Sequence, residues 1–210
     1  MDAATYLSTA ELAERVIGWH DVADRWADDS ALVGYTVGGL AGHLARAVLT
    51  VDRYLDRPAP AGLQVDAAAY FVRVLGAHDP VTSDLHQAVR NRSEQEAAEG
   101  PDALVARLRR ARLDLGGRLD AADGRASIAV LDDTVMSVGA YLETRLVELV
   151  VHLDDLAVSV GHDLSDRIAP EAYAVAASVL AQVVARRVGG LATVRSLASR
   201  ERHPEAVRAL

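Results

Sequence analysis

Arg145-Leu-Val-Glu148-Leu-Val-Val-His152-Leu-Asp-Asp155-Leu156 is the stretch from which the rest of the chain is read. It sits inside a helical pattern running from about Val135 to Val160, with Gly161 as a natural C-terminal stop. With Glu148 at 0° on a helical wheel, Tyr141, Arg145, His152, Asp155 and Ser159 fall between about −20° and +60°. Leu142, Leu146, Leu149, Val150, Leu153 and Leu156 spread over roughly 80° to 200°, and Glu143 and Asp154 lie near about 220° to 240°. The helix therefore carries two polar faces separated by apolar ones. One can face solvent. The other must face a cleft or the interior.

A stripe of Arg, Glu, His and Asp is costly to bury unless the groups pair or hold a cation. Glu148 and His152 are i, i+4 neighbours with Cβ atoms about 5–6 Å apart, so both can reach one ion. The two histidines of H-E-x-x-H follow the same geometry. Asp155, one turn on, can accept the imidazole N–H of His152. Arg145, one turn back, can balance charge, hold an anionic group of a cofactor or substrate, or simply pair with Glu148. The stripe alone fits an internal ion-pair network of Arg145, Glu148, His152 and Asp155 without metal equally well.

Among the other histidines, His78 adjoins Asp79-Pro80 and His203 precedes Pro204, so both are expected at the surface, as are His20 and His86 on charged helices. His162 follows Gly161 and reads as a charge at a helix C-terminus. His43 differs. It stands in Thr36-Val-Gly-Gly-Leu-Ala-Gly-His43-Leu-Ala, where small residues let another helix approach closely. Spacing alone does not pair it with Glu148 and His152.

Outward from these segments the chain reads as helices. Thr9 and Glu11 open a first helix to about Asp28, and Thr36 caps a second to about Asp56. Arg57 to Gly62 is a loop by composition, and 66–76 and 80–97 are shorter helices, the latter opened by Asp79-Pro80. Pro101 begins a helix to about Ala122. Residues 127–131 are the one strand-like run, and Asp132-Asp-Thr134 is the expected cap of the long helix. Pro170 opens an apolar helix to Val188, followed by a basic, weakly patterned tail. Short connections between long helices favour an antiparallel bundle over residues 1–165, with 166–210 as a helical extension packed on it.

The chain has 210 residues, half of them apolar, and 30 acids against 22 basic residues, all arginine, for a net charge of −8. That is enough apolar content for a real core. An acidic balance without a basic run argues against nucleic acid and anionic membranes as partners. No run reaches the roughly 18 uncharged apolar residues of a membrane span. The start, MDAATYLSTAELAERV, has acids where a signal peptide needs positive charge, so a cytoplasmic location is expected. With no cysteine, disulfides, thiolate metal sites and a cysteine nucleophile are excluded. Any metal must be held by His, Asp or Glu.

The segment Val33-Gly-Tyr-Thr-Val-Gly-Gly-Leu-Ala-Gly-His43-Leu resembles the "GWTVGDLxxHL" segment of the mycothiol-dependent maleylpyruvate isomerase family, and residues 145–156 resemble its "RxxExxxHxxDL" helix. The family belongs to the DinB-like superfamily of metal-binding four-helix bundles. The resemblance covers about residues 5–165 and implies an all-α, DinB-like antiparallel four-helix bundle with extra short helices and a C-terminal helical extension. It further implies a divalent metal, usually zinc, on His43, Glu148 and His152. Three departures stand out. Tyr35 replaces the family's Trp, Gly39 replaces its acidic residue, and 166–210 are too short for the α/β domain that follows the bundle in the isomerase itself.

Three functional readings follow. Three ligands without a thiolate leave coordination positions open, as in catalytic zinc sites. An exogenous thiol, mycothiol by resemblance, could supply the nucleophile that this chain lacks, for S-transfer to a small electrophile or its thiol-assisted isomerisation. The same ligands suit metal-assisted hydrolysis, with Asp155 as the obvious general base. A non-catalytic metal- or ligand-binding bundle is the third.

Overall fold

In the computed structural model, residues 3–57, 59, 62–75, 83–130 and 134–198 are described. Among the described residues the fold is all-α apart from one short hairpin, in a DinB-like bundle. Its helices are α1 (Ala3–Ile17), α2 (His20–Asp24), α3 (Val37–Leu55), α4 (Ala67–Leu75), α5 (Asp84–Ala97), α6 (Pro101–Ala121), α7 (Val138–Ser159), α8 (Pro170–Val188) and α9 (Gly190–Ala198). The strands β1 (Ser127–Ala129) and β2 (Val135–Ser137) pair antiparallel, Ile128 opposite Met136. No helix among the described residues is long and apolar enough to cross a membrane.

The bundle is α1, α3, α6 and α7. Tyr6, Leu40, Leu44, Leu104, Leu108, Leu146, Leu149 and Leu153 are fully buried in its core. The apolar arc of the wheel thus becomes the interior seam of α7. Thr50 of α3 hydrogen-bonds Tyr141 of α7, while His43 lies beside Glu148 and His152, so α3 and α7 run antiparallel. Outside the bundle, α5 lies along α3, and α8 packs on α7 and α4. Ala172, Ala176, Val179 and Val183 of α8 join the same apolar core, and Arg186 of α8 clasps Asp66 with two 2.6 Å bonds.

The first helix ends earlier than Asp28. Gly18 closes α1 and Trp19 is extended (ψ 143°), so the chain turns into the short α2. The long helix starts later than Val135. Its N-cap is Ser137, whose hydroxyl accepts from Ala140 N–H at 3.1 Å, because β-branched Val135 and the buried Met136 pair with β1. Thr134 lies before that strand rather than in a cap. Ser83, not Asp79-Pro80, caps α5, and the latter pair, with Asp132, Asp133, His78 and His203, falls outside the described residues. Gly190–Ala198, the start of the expected weakly patterned tail, form α9, with Leu191, Val194 and Leu197 exposed on one face.

Two helix ends place the site. The four N-terminal N–H groups of α3 are all taken: Val37 by Asp28 O, Gly38 by Trp26 O, Gly39 by Thr36 Oγ1 and Leu40 by Thr36 O. At the same end of the pair, because α7 runs antiparallel to α3, Gly161 (φ 82°) closes α7 in a Schellman motif, with His162 N–H on Ala157 O at 2.9 Å. The His162 side chain binds Asp21 at 2.6 Å and meets the Trp19 ring, pinning that end to α2. His20 is exposed and pairs with Asp24, whereas His86 is partly buried on α5.

Candidate metal centre

His43 stands on the second turn of α3, and its neighbours Gly39 and Gly42 leave room for α5. A Cβ on Gly42 would lie 2.1 Å from the Ser93 carbonyl oxygen, so only glycine permits this approach. The contact brings Ser93 to His43. Ser93 Oγ donates to Val89 O at 2.8 Å and lies 3.3 Å from His43 Nδ1, which makes it the acceptor of an Nδ1–H and leaves Nε2 as a bare lone pair. On α7, Asp155 Oδ2 accepts from His152 Nδ1 at 2.9 Å, so His152 also turns Nε2 inward.

Both Nε2 atoms face one carboxylate oxygen. Glu148 Oε2 is 3.4 Å from His43 Nε2 and 3.3 Å from His152 Nε2, and the two imidazole centroids are 4.6 Å apart. The three side chains are only 16 %, 21 % and 14 % exposed, in the order His43, Glu148, His152. A charge-assisted hydrogen bond would be nearer about 2.8 Å. A tetrahedral ion with bonds of about 2.0–2.1 Å would instead hold its ligand atoms about 3.3–3.4 Å from one another. The observed spacing fits the second description, and His43, Glu148 and His152 could hold a metal.

Electrostatics favour a cation at the same point. Burial pushes the Glu148 carboxyl up, but hydrogen bonds with His152 and His43 and the charge of Arg145 outweigh it, so it stays well below the usual carboxylate range. Burial disfavours a charged His152, yet its bonds to Asp155 and Glu148 raise it to about 9. His43 is lowered, chiefly by burial, and stays neutral. Without metal, a proton on His152 Nε2 thus fills the place of the cation.

Arg145 braces the far side. Its Nη2 faces Glu148 Oε1 at 3.9 Å, Nε donates to Thr144 Oγ1 at 3.1 Å, and the guanidinium lies over the rings of Tyr141 (5.1 Å) and Tyr70 (6.0 Å). The stripe read on α7 is therefore gathered at one place: Arg145 behind Glu148, His152 beside it, and Asp155 behind His152. The sequence reading missed Ser93 and Tyr70, which come from α5 and α4. It also missed the placement of Tyr35, whose ring sits 5.4 Å from that of His43 and whose hydroxyl is raised by burial to about 12. The spacing of Gly39, Gly42 and His43 signals a close helix, but not which residue of it would meet the imidazole.

A family model described as the mycothiol maleylpyruvate isomerase N-terminal domain matches residues 8–157, a stretch containing His43, Glu148, His152 and Asp155. No curated protein and no solved structure matches the chain. With well over half of its length matched, the chain belongs to the mycothiol maleylpyruvate isomerase N-terminal domain family.

Proposed function

We propose that His43, Glu148 and His152 bind one divalent metal, zinc in the first instance, in an enzyme that uses a low-molecular-weight thiol, mycothiol by family, for S-transfer to a small electrophile or its thiol-assisted isomerisation. The observation that carries this reading is the convergence of the two Nε2 atoms and Glu148 Oε2 with both Nδ1 sides already held. When bound, such an ion lowers the pKa of a coordinating thiol and so provides a thiolate near neutral pH. The chain's own part is positional. Ser93 and Asp155 fix the imidazole tautomers, and Arg145 keeps Glu148 ionised. Tyr35 keeps a neutral O–H beside His43.

Charge balance supports an anionic ligand there. Glu148 and Asp155 offset a dication, and Arg145 leaves one positive charge over, which a thiolate neutralises. A hydrolytic use of the same ligands needs a general base, and Asp155 is committed to His152 Nδ1. The test is to load the protein with Co2+ and titrate it with mycothiol, using S-methylated mycothiol as control. A saturable sulfur-to-cobalt charge-transfer band, absent from the control, is expected. Bound cobalt with no such band at millimolar thiol contradicts the reading.

Metal uptake should also depend on pH. His152 is raised to about 9, so below that value a proton must leave before the ion enters. Affinity is expected to rise about tenfold per pH unit between pH 6 and 8 and to level off only near pH 9. Calorimetry at pH 7 in buffers of different ionisation enthalpy should report about one proton released per zinc. A pH-independent affinity with no proton release would contradict this assignment.

A further inference from the structure

Glu96 of α5 stands among more positive charge than it neutralises. Arg107 of α6 makes a short hydrogen bond to its Oε2 and donates to its backbone carbonyl at 3.1 Å. The other oxygen, Oε1, faces Arg46 at 3.7 Å and Arg53 at 3.9 Å, both from α3. These distances exceed hydrogen-bonding range, so the two guanidiniums lean toward the carboxylate without bonding to it. Arg46 is only 17 % exposed and Glu96 13 %, so water does not fully replace the missing partners. Arg92, one turn before Glu96, adds a fourth cation, and its Nε is buried with no hydrogen-bond partner. The Arg46 guanidinium is lowered by burial first and then by the charge of Arg92, against the opposing pull of Glu96.

Helix geometry gathers these charges in one place rather than scattering them over the surface. Arg46 and Arg53 are seven residues apart and share one face of α3, while Arg92 and Glu96 are four apart on α5. Three arginines therefore face one carboxylate, and the charge of Arg92 bears on Arg46 beside them, in a chain whose net charge is −8. Buried donors without acceptors are rare in native proteins and call for a partner.

We propose that the arginine cluster where α3, α5 and α6 meet binds a small oxyanion of the phosphate or sulfate class, with Arg46 and Arg92 as donors and Arg53 and Arg107 flanking them. A guanidinium fork matches two oxygens of such an anion, and a double negative charge offsets most of the local surplus. A small molecule suits the site better than a nucleic acid or a membrane. The overall negative charge repels polyanions, and the cations are gathered in one place instead of spread over a face.

The experiment is calorimetric titration of the protein as purified with inorganic phosphate, and separately with sulfate, at ionic strength fixed with sodium chloride. One saturable site per chain is expected. Arg92→Gln and Arg46→Gln should each weaken it by about tenfold or more, with helicity by circular dichroism unchanged. Phosphate should raise the unfolding temperature of the wild type and not that of Arg92→Gln. His152→Ala should bind as the wild type does, which separates this cluster from the metal centre. No saturable binding by the wild type, equal binding by Arg92→Gln, or loss of binding in His152→Ala overturns the proposal.

Discussion

Glu148→Gln is expected to abolish metal binding and to destabilise the fold by about 3–5 kcal/mol, the cost of removing one partner from a buried charge cluster. The substitution keeps the size of the side chain but removes its charge. Arg145 then stays among Tyr70 and Tyr141 with no carboxylate at its Nη2, and His152 keeps only Asp155. For a chain of this length the loss corresponds to a fall of roughly 6–20 °C in thermal midpoint. Calorimetric unfolding and metal analysis of the same sample read both effects. A variant as stable as the wild type that still retains its metal would show that Glu148 is neither ligand nor counter-charge.

Gly42→Ala should be the most damaging change that removes no charge and no hydrogen-bonding side chain. In an open helical position it would stabilise by about 1 kcal/mol, because alanine is the better helix former. Here the new Cβ would lie 2.1 Å from the Ser93 carbonyl oxygen and 3.2 Å from the Ala97 Cβ. Backbone cannot rotate out of the way, so α5 must move off α3. A loss of about 2–3 kcal/mol or more is expected from such overpacking. The same shift draws Ser93 away from His43 Nδ1, so zinc affinity should fall with stability. Urea unfolding decides the sign, and a stabilised variant would contradict the packing of α5 described above.

The pattern of α7 was legible because an amphipathic helix writes its environment into a period of 3.6 residues. Leu146, Leu149 and Leu153 fell on the predicted seam, and Arg145, Glu148, His152 and Asp155 fell on one polar stripe that the structure gathers. Thr36 as the cap of α3 and Pro101 at the start of α6 were legible for the same reason, since each answers a local need of the helix end. Ser93 was not, because α5 is so polar that its sequence does not say which face packs. Its register against His43 is set by Gly42 and Ala97, a tertiary contact. The start of α7 was misplaced for a related reason. Val135 and Met136 suit helix and strand alike, and only pairing with Ile128 and Ala129 decides between them. The break at Gly18 and Trp19 was hidden by apolar spacing that continues through Trp26, so α2 reads as an extension of α1 although the backbone turns between them.

Metal content by inductively coupled plasma mass spectrometry, on the wild type and on His43→Ala and His152→Ala, tests the central claim most directly. One zinc or similar divalent ion per chain is expected in the wild type. Both variants should lose it while keeping their helicity by circular dichroism. A wild type that holds no metal even after incubation with zinc, or variants that keep theirs, would contradict the three-ligand centre. Residues 145–155 would then be an ion-pair network bracing a binding or structural bundle.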